Sequence, residues 1–84
     1  MERIYKYNPE DFSGMYGLDK DLQSFYEALE AYQQEQSQSN KFNLWDQQEA
    51  IFFSIKHRCV EGYINEVLKQ DLYEYLGGLL DDRF

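Results

Sequence analysis

Eighty-four residues admit one domain and no second. Sixteen Asp and Glu against eight Lys and Arg leave a net charge of -8. That balance argues against holding a nucleic-acid backbone or an anionic membrane surface, since both rely on Lys and Arg. A hydrophobic fraction of 43%, with eight Tyr, six Phe and one Trp, argues against a disordered acidic tail.

A chain of this size buries only roughly 60–65% of its unfolded surface, so its core is small and offers little room to enclose a substrate. The single cysteine, Cys59, forbids an intrachain disulfide. The opening Met1-Glu2-Arg3-Ile4-Tyr5-Lys6-Tyr7 lacks the apolar run of a signal peptide. The longest unbroken apolar run is Ala50-Ile51-Phe52-Phe53, where a membrane span needs about 20 residues. The expectation is a soluble cytoplasmic protein folded as one domain over 1–84.

Residues 1–17 read as an ordered, irregular arm. Ile4-Tyr5-Lys6-Tyr7 has the composition of a short strand. Asn8-Pro9-Glu10-Asp11 has the chemistry of a helix start: a capping side chain, proline at the first position and acids near the positive helix end. Gly14 and Gly17 stop that helix after about one turn.

Residues 19–36 give the clearest helix, with Asp19 placed to cap it. Leu18, Leu22, Phe25, Leu29 and Tyr32 recur at helical spacing and form one apolar stripe. Gln23, Glu27, Glu30 and Gln34 fall on or near the other side. The polar run Gln33 to Asn40 reads as a frayed end followed by a loop over 37–43.

Residues 44–76 admit two readings. The helical one starts at Asn43 or Asp46, with Glu49 completing an approximate capping box. Its apolar positions are Trp45, Phe52, Ile55, Cys59 and Tyr63, with Ile51 and Val60 alongside. A helical segment continues or restarts near Gly62 on the stripe Ile64, Val67, Leu68, Leu72, Tyr75 and Leu76. Gly77-Gly78 then supplies a stop. The alternative takes Ile51, Phe53, Ile55, His57 and Cys59 as one face of a strand, giving an α+β fold with a hairpin in 50–64. The helix template runs through Leu76 with few misses, so the favoured fold is mostly α: a small three-helix domain with an N-terminal arm.

No constellation in the sequence carries an enzyme's chemistry. Lys56-His57-Arg58 beside Cys59 is a setting that can lower a thiol pKa. On a helix, however, positions 57 and 59 point about 200° apart, and no third group orients the pair. His57 and Glu61 share a helix face, but one histidine and one cysteine cannot build the usual zinc set. Asp19-Lys20-Asp21 and Asp81-Asp82 lack the spacing of a calcium loop. No Gly-rich phosphate loop or nucleophile elbow is present. The expectation is a non-enzyme without metal or cofactor.

Acids and aromatics together are the informative feature. Glu27, Glu30 and Glu35 mark exposed positions on the first helix, and Glu66, Tyr73 and Glu74 on the last, with Asp81 and Asp82 following. Neighbours three or four apart on a helix sit about 5–6 Å from each other, so rows of carboxylates can imitate a nucleic-acid backbone. In length and acidity the chain resembles the small acidic inhibitors of phages and mobile elements that block restriction or CRISPR nucleases by mimicking DNA. That resemblance, which covers size and charge only, implies a protein partner with a basic, nucleic-acid-binding groove. The charge surplus on the expected exposed helix faces points to Glu27, Glu30, Glu66, Glu74, Asp81 and Asp82 as the residues to meet it, with Tyr73 as an aromatic anchor. It implies no direct contact with nucleic acid or membrane. The aromatic excess points to a second class of function. Tyr5, Tyr7, Tyr16, Phe42, Trp45, Tyr73 and Phe84 fall outside the main stripes or at their ends. An exposed patch among them would suit an adaptor docking on an enzyme, or a homodimer seam.

Overall fold

The computed structural model describes residues 5–83, with side chains through Leu80. A one-turn 3-10 helix, Pro9–Phe12, is followed by α1 (Leu18–Gln34), α2 (Gln38–Val60) and α3 (Glu66–Arg83). The fold is the expected mostly α, three-helix domain. The hairpin alternative is overturned, because residues 50–60 lie inside α2. Periodicity decides this: Ile51 and Ile55, four apart, are both buried, while Phe53 between them faces out.

Local chemistry sets the ends of each element. In the arm, the Asn8 backbone N–H donates to the Asp11 carboxylate over 2.9 Å, fixing the helical turn at Pro9. Gly17, with φ of 93°, provides the left-handed step into α1, so glycine rather than Asp19 stands at its N-cap. Asp19 lies within the first turn and accepts from the Lys20 N–H over 2.9 Å. At the other end of α1, the Asn40 side chain donates to the Glu35 carbonyl (2.8 Å) and to that of Ala31 (3.3 Å), which also accepts the Glu35 N–H over 3.0 Å.

The loop expected over 37–43 is three residues long at most. Ser37 caps α2, its Oγ accepting from the Asn40 N–H over 3.1 Å, so the helix starts at Gln38 and not at Asn43 or Asp46. A Schellman turn closes α2. The Tyr63 N–H reaches the Arg58 carbonyl at 2.9 Å and the Gly62 N–H the Cys59 carbonyl at 3.1 Å, with Gly62 at φ of 90°. Asn65 then caps α3, its Oδ1 accepting from the Leu68 N–H at 2.8 Å. The stop expected at Gly77-Gly78 does not occur, and α3 runs through both glycines to Arg83. Leu76 and Leu80 on either side are buried, and this packing outweighs the cost of two helical glycines, about 1 kcal/mol each.

The core joins all three helices. It comprises Leu18, Leu22, Phe25, Tyr26, Ala28 and Leu29 of α1, Leu44, Ile51 and Ile55 of α2, and Leu72, Leu76 and Leu80 of α3, with Phe12 and Ile64 at its edges. The α1 stripe therefore packs as read, with Tyr32 half-buried at its end. The α2 stripe does not. Leu44 takes the core position, while Trp45, Tyr63 and Val60 are exposed. Val67 of α3 is exposed as well.

The arm lies across α1 and α3. Tyr5 stacks flat on Tyr26 of α1, with centroids 3.8 Å apart and rings 2° from parallel. The Tyr26 hydroxyl, buried, donates to the Tyr7 carbonyl over 2.6 Å. Tyr7 meets Tyr75 of α3 edge-on at 5.7 Å, and its hydroxyl donates to the Asp71 carboxylate. Lys6 reaches the same carboxylate at 2.8 Å. The early tyrosines thus tie the arm down and are not part of a free aromatic patch.

Candidate functional site

The carboxylates singled out from the sequence divide by what they touch. Glu27 is exposed on α1 and accepts only from Gln23, one turn away, at 3.1 Å. Glu74 is exposed on α3. Glu30 accepts the Tyr5 hydroxyl at 2.8 Å, so it also secures the arm. Glu66 pairs with Lys69 at 2.8 Å and accepts the Cys59 thiol at 3.5 Å. The Lys69 ammonium, and then the thiol, hold its carboxyl below the usual carboxylate range. Partial burial and the Glu66 carboxylate push the Cys59 thiol up, away from the reactive thiolate. Asp81 and Asp82 lie in α3 with side chains outside the described residues, and Phe84 lies outside them altogether.

Tyr73 is not the exposed anchor expected of it. Its ring packs on Phe52 of α2 at 5.2 Å, and its hydroxyl donates to the Phe52 carbonyl at 3.3 Å. The residue is half-buried and belongs to the α2–α3 seam. The acidic row is therefore discontinuous. Glu27, bonded only to Gln23 of its own helix, and Glu74 face solvent, while Glu30 and Glu66 serve the fold as well as the surface.

The unsatisfied surface is elsewhere, on α2. Phe42 is 50% exposed, Trp45 45%, Phe53 63% and Val60 79%. At 100° per residue, Phe42, Phe53 and Val60 fall within about 20° of one another, with Trp45 about 60° to one side. Ile51, at the centre of the core stripe, lies about 180° away. The two flanks of α2 are occupied by its neighbours. Ser54 donates to Asp21 of α1, and Arg58 to the Tyr16 carbonyl at 2.8 Å. Phe52 and Cys59 face Tyr73 and Glu66 of α3. The remaining face points away from both helices and runs about 27 Å from Phe42 to Val60.

Aromatic contacts stiffen this face. Phe42 touches Trp45 at 5.8 Å, the Lys41 ammonium sits 5.0 Å from the Trp45 ring, and Phe53 meets the His57 ring at 4.2 Å. A shallow recess of about 410 Å³ continues it at the α1–α2 turn, lined by Tyr32, Lys41, Phe42, Trp45 and neighbouring polar residues. α2 is also the least acidic of the three helices. Of the sixteen acids, α2 carries only Asp46 and Glu49, against Lys41, Lys56 and Arg58.

Phe53 and Val60 escape a reading based on one stripe per helix, because the outward side of α2 interleaves its apolar residues with Asp46, Glu49 and Lys56. Spacing was the available signal: 42, 53 and 60 are separated by three turns and then two. Among the described residues, no group of three His, Cys, Asp or Glu is placed to hold a metal ion. No helix among them is long and apolar enough to cross a membrane. Compared with protein-family models, curated proteins and solved structures, the chain matches none.

Proposed function

We propose that this chain is a non-catalytic protein-interaction module that docks through the outward face of α2. The observation that carries the reading is the line of Phe42, Phe53 and Val60, with Trp45 beside it, on the side of α2 opposite its core residues. Large apolar side chains aligned along a helix face and rimmed by charge are the usual make-up of a protein-binding patch. Each that leaves water on docking contributes roughly 25 cal/mol per Å² of apolar area. The acidic surfaces of α1 and α3 keep the chain soluble and steer its encounters with partners. Docking of this kind survives high salt, because apolar burial is not screened. The test is binding of Phe53→Glu against the parent chain in 0.5 M salt. Loss of binding with an unchanged circular dichroism spectrum supports the reading. Undiminished binding removes α2 from the interface.

A second reading places the acidic face in the basic, nucleic-acid-binding groove of an enzyme, as an inhibitor of anti-restriction or anti-CRISPR type. The specific support is that Glu27 of α1 and Glu74 of α3 are exposed and pair with no cation among the described residues. This mode is salt-sensitive and competes with DNA.

A further inference from the structure

We propose that the occupant of the α2 face is a second copy of this chain, its α2 lying antiparallel to the first about a twofold axis near Ile51. This rests on α2 being a docking face and names what docks there. The argument is the distribution of charge along the face. Its anions, Asp46 and Glu49, lie in the N-terminal half, with Lys41 to one side of them over Trp45, and Lys56 lies in the C-terminal half. An antiparallel copy reverses that order, and each half then meets its complement. A parallel copy sets like charge against like.

The register follows from the ends of the apolar line. Setting Phe42 of one copy against Val60 of the other centres the pair near Ile51. Under a twofold, residues on one flank of the helix meet residues on the same flank of the other copy. Asp46 and His57 share one flank and come within about 2 Å of the same height along the axis; Glu49 and Lys56 share the other and come within about 5 Å. Trp45 lies level with Lys56 of the other copy, and the two Phe53 rings flank the axis. Lys56 of each copy then stands level with Asp46 of the other and closer in height to its Glu49 than the two Glu49 stand to each other, about 6 Å.

The long-range field agrees. Each chain carries -8, so two copies repel over most of their surfaces. α2 carries Lys41, Lys56 and Arg58 against Asp46 and Glu49, and Arg58 is paired with Glu61 at 2.7 Å, which leaves the helix close to neutral. It is the element on which two such chains approach at the lowest electrostatic cost. The resulting dimer leaves the acidic faces of α1 and α3 outward.

Sedimentation equilibrium on the purified chain over a wide concentration series provides the test. The expected result is a reversible rise in mass from 10.2 kDa toward twice that value. Phe53→Glu should weaken association at least about tenfold, as a central aromatic anchor does. Glu49→Lys alone and Lys56→Glu alone should each weaken it several-fold, and the double variant should restore it. Residues 49 and 56 are about 10 Å apart along one helix, so rescue cannot arise within a chain. A mass of 10.2 kDa at every concentration overturns the dimer. So does association indifferent to Phe53→Glu, or failure of the charge swap to restore it. In any of these cases, Phe53→Glu is tested on capture of other proteins. Loss of a captured protein leaves α2 as a docking face for a different partner, and unchanged capture removes that reading too.

Discussion

Ile51 and Phe53 stand two residues apart on α2, yet Ile51 is 0% exposed and Phe53 63%. One is fixed in the three-helix core and the other projects from the opposite side of the same helix. Their replacement should therefore separate stability from binding. Ile51→Ala should cost about 2–4 kcal/mol through lost burial and a residual cavity. Phe53→Ser should stay within about 0.5 kcal/mol in stability. Urea unfolding of both variants checks this; a large loss from Phe53→Ser would mean that its ring supports the fold.

The arm is held by side chains far away in sequence. Tyr26→Phe removes the hydroxyl that donates to the Tyr7 carbonyl over 2.6 Å and leaves that carbonyl without its donor. The expected cost is about 1–2 kcal/mol. In a domain of this size that lowers Tm by about 4–8 °C per kcal/mol. Thermal unfolding followed by circular dichroism measures it.

The same arm makes stability depend on pH. The Lys6 ammonium, followed by the Tyr7 hydroxyl, holds Asp71 below its ordinary value of 3.8. The unfolded chain then binds the proton more readily than the folded one. The stabilisation is fully present above 3.8 and is lost as pH falls through the lower folded value. Lys6, raised above 10.5 chiefly by its hydrogen bond to Asp71, behaves oppositely: its share is present below 10.5 and is lost as pH rises through the folded value. Asp71→Asn should flatten the acid limb of a Tm–pH profile below about pH 4. An unchanged limb would place the acid sensitivity elsewhere.

Gly77 and Gly78 sit inside α3 with nothing within 4 Å of an added Cβ. Gly77→Ala and Gly78→Ala should each stabilise by about 0.5–1 kcal/mol, through helix propensity and a less flexible unfolded chain. Chemical denaturation decides it, and a destabilised variant would show that helix packing requires the bare backbone.

The outer carboxylates answer a separate question. Glu27→Lys combined with Glu74→Lys touches no contact that holds the fold, so stability should change by less than about 1 kcal/mol. If a basic groove is the partner of the acidic face, this double variant should weaken the complex and flatten its salt dependence. Equal binding by parent and variant argues for α2 alone.

How far the sequence shows the fold depends on how many faces each helix has. Leu18, Leu22, Phe25 and Leu29 form a single stripe, so α1 is legible almost to the residue. On its outward side α2 interleaves apolar residues with Asp46, Glu49 and Lys56, and Trp45 and Val60 read as core though they lie outside it. Its start was hidden because Ser37 and Asn40 act by capping, which composition alone renders as loop. At Gly77-Gly78 the local preference is overruled by distant packing through Leu76 and Leu80. The candidate site is half visible: Phe42 stands off the stripes and Trp45 at the end of one. That Tyr73 packs on Phe52, and that Tyr5 and Tyr7 bridge α1 and α3, depends on contacts that no local spacing encodes.

The sole tryptophan, Trp45, lies on the face in question and reports on its covering without any label. The most direct measurement is acrylamide quenching of its fluorescence across a dilution series of the purified chain. If α2 closes on a second copy, quenching falls and emission shifts to the blue as concentration rises, and Phe53→Glu abolishes both changes. Trp45 equally open to acrylamide at every concentration would contradict it.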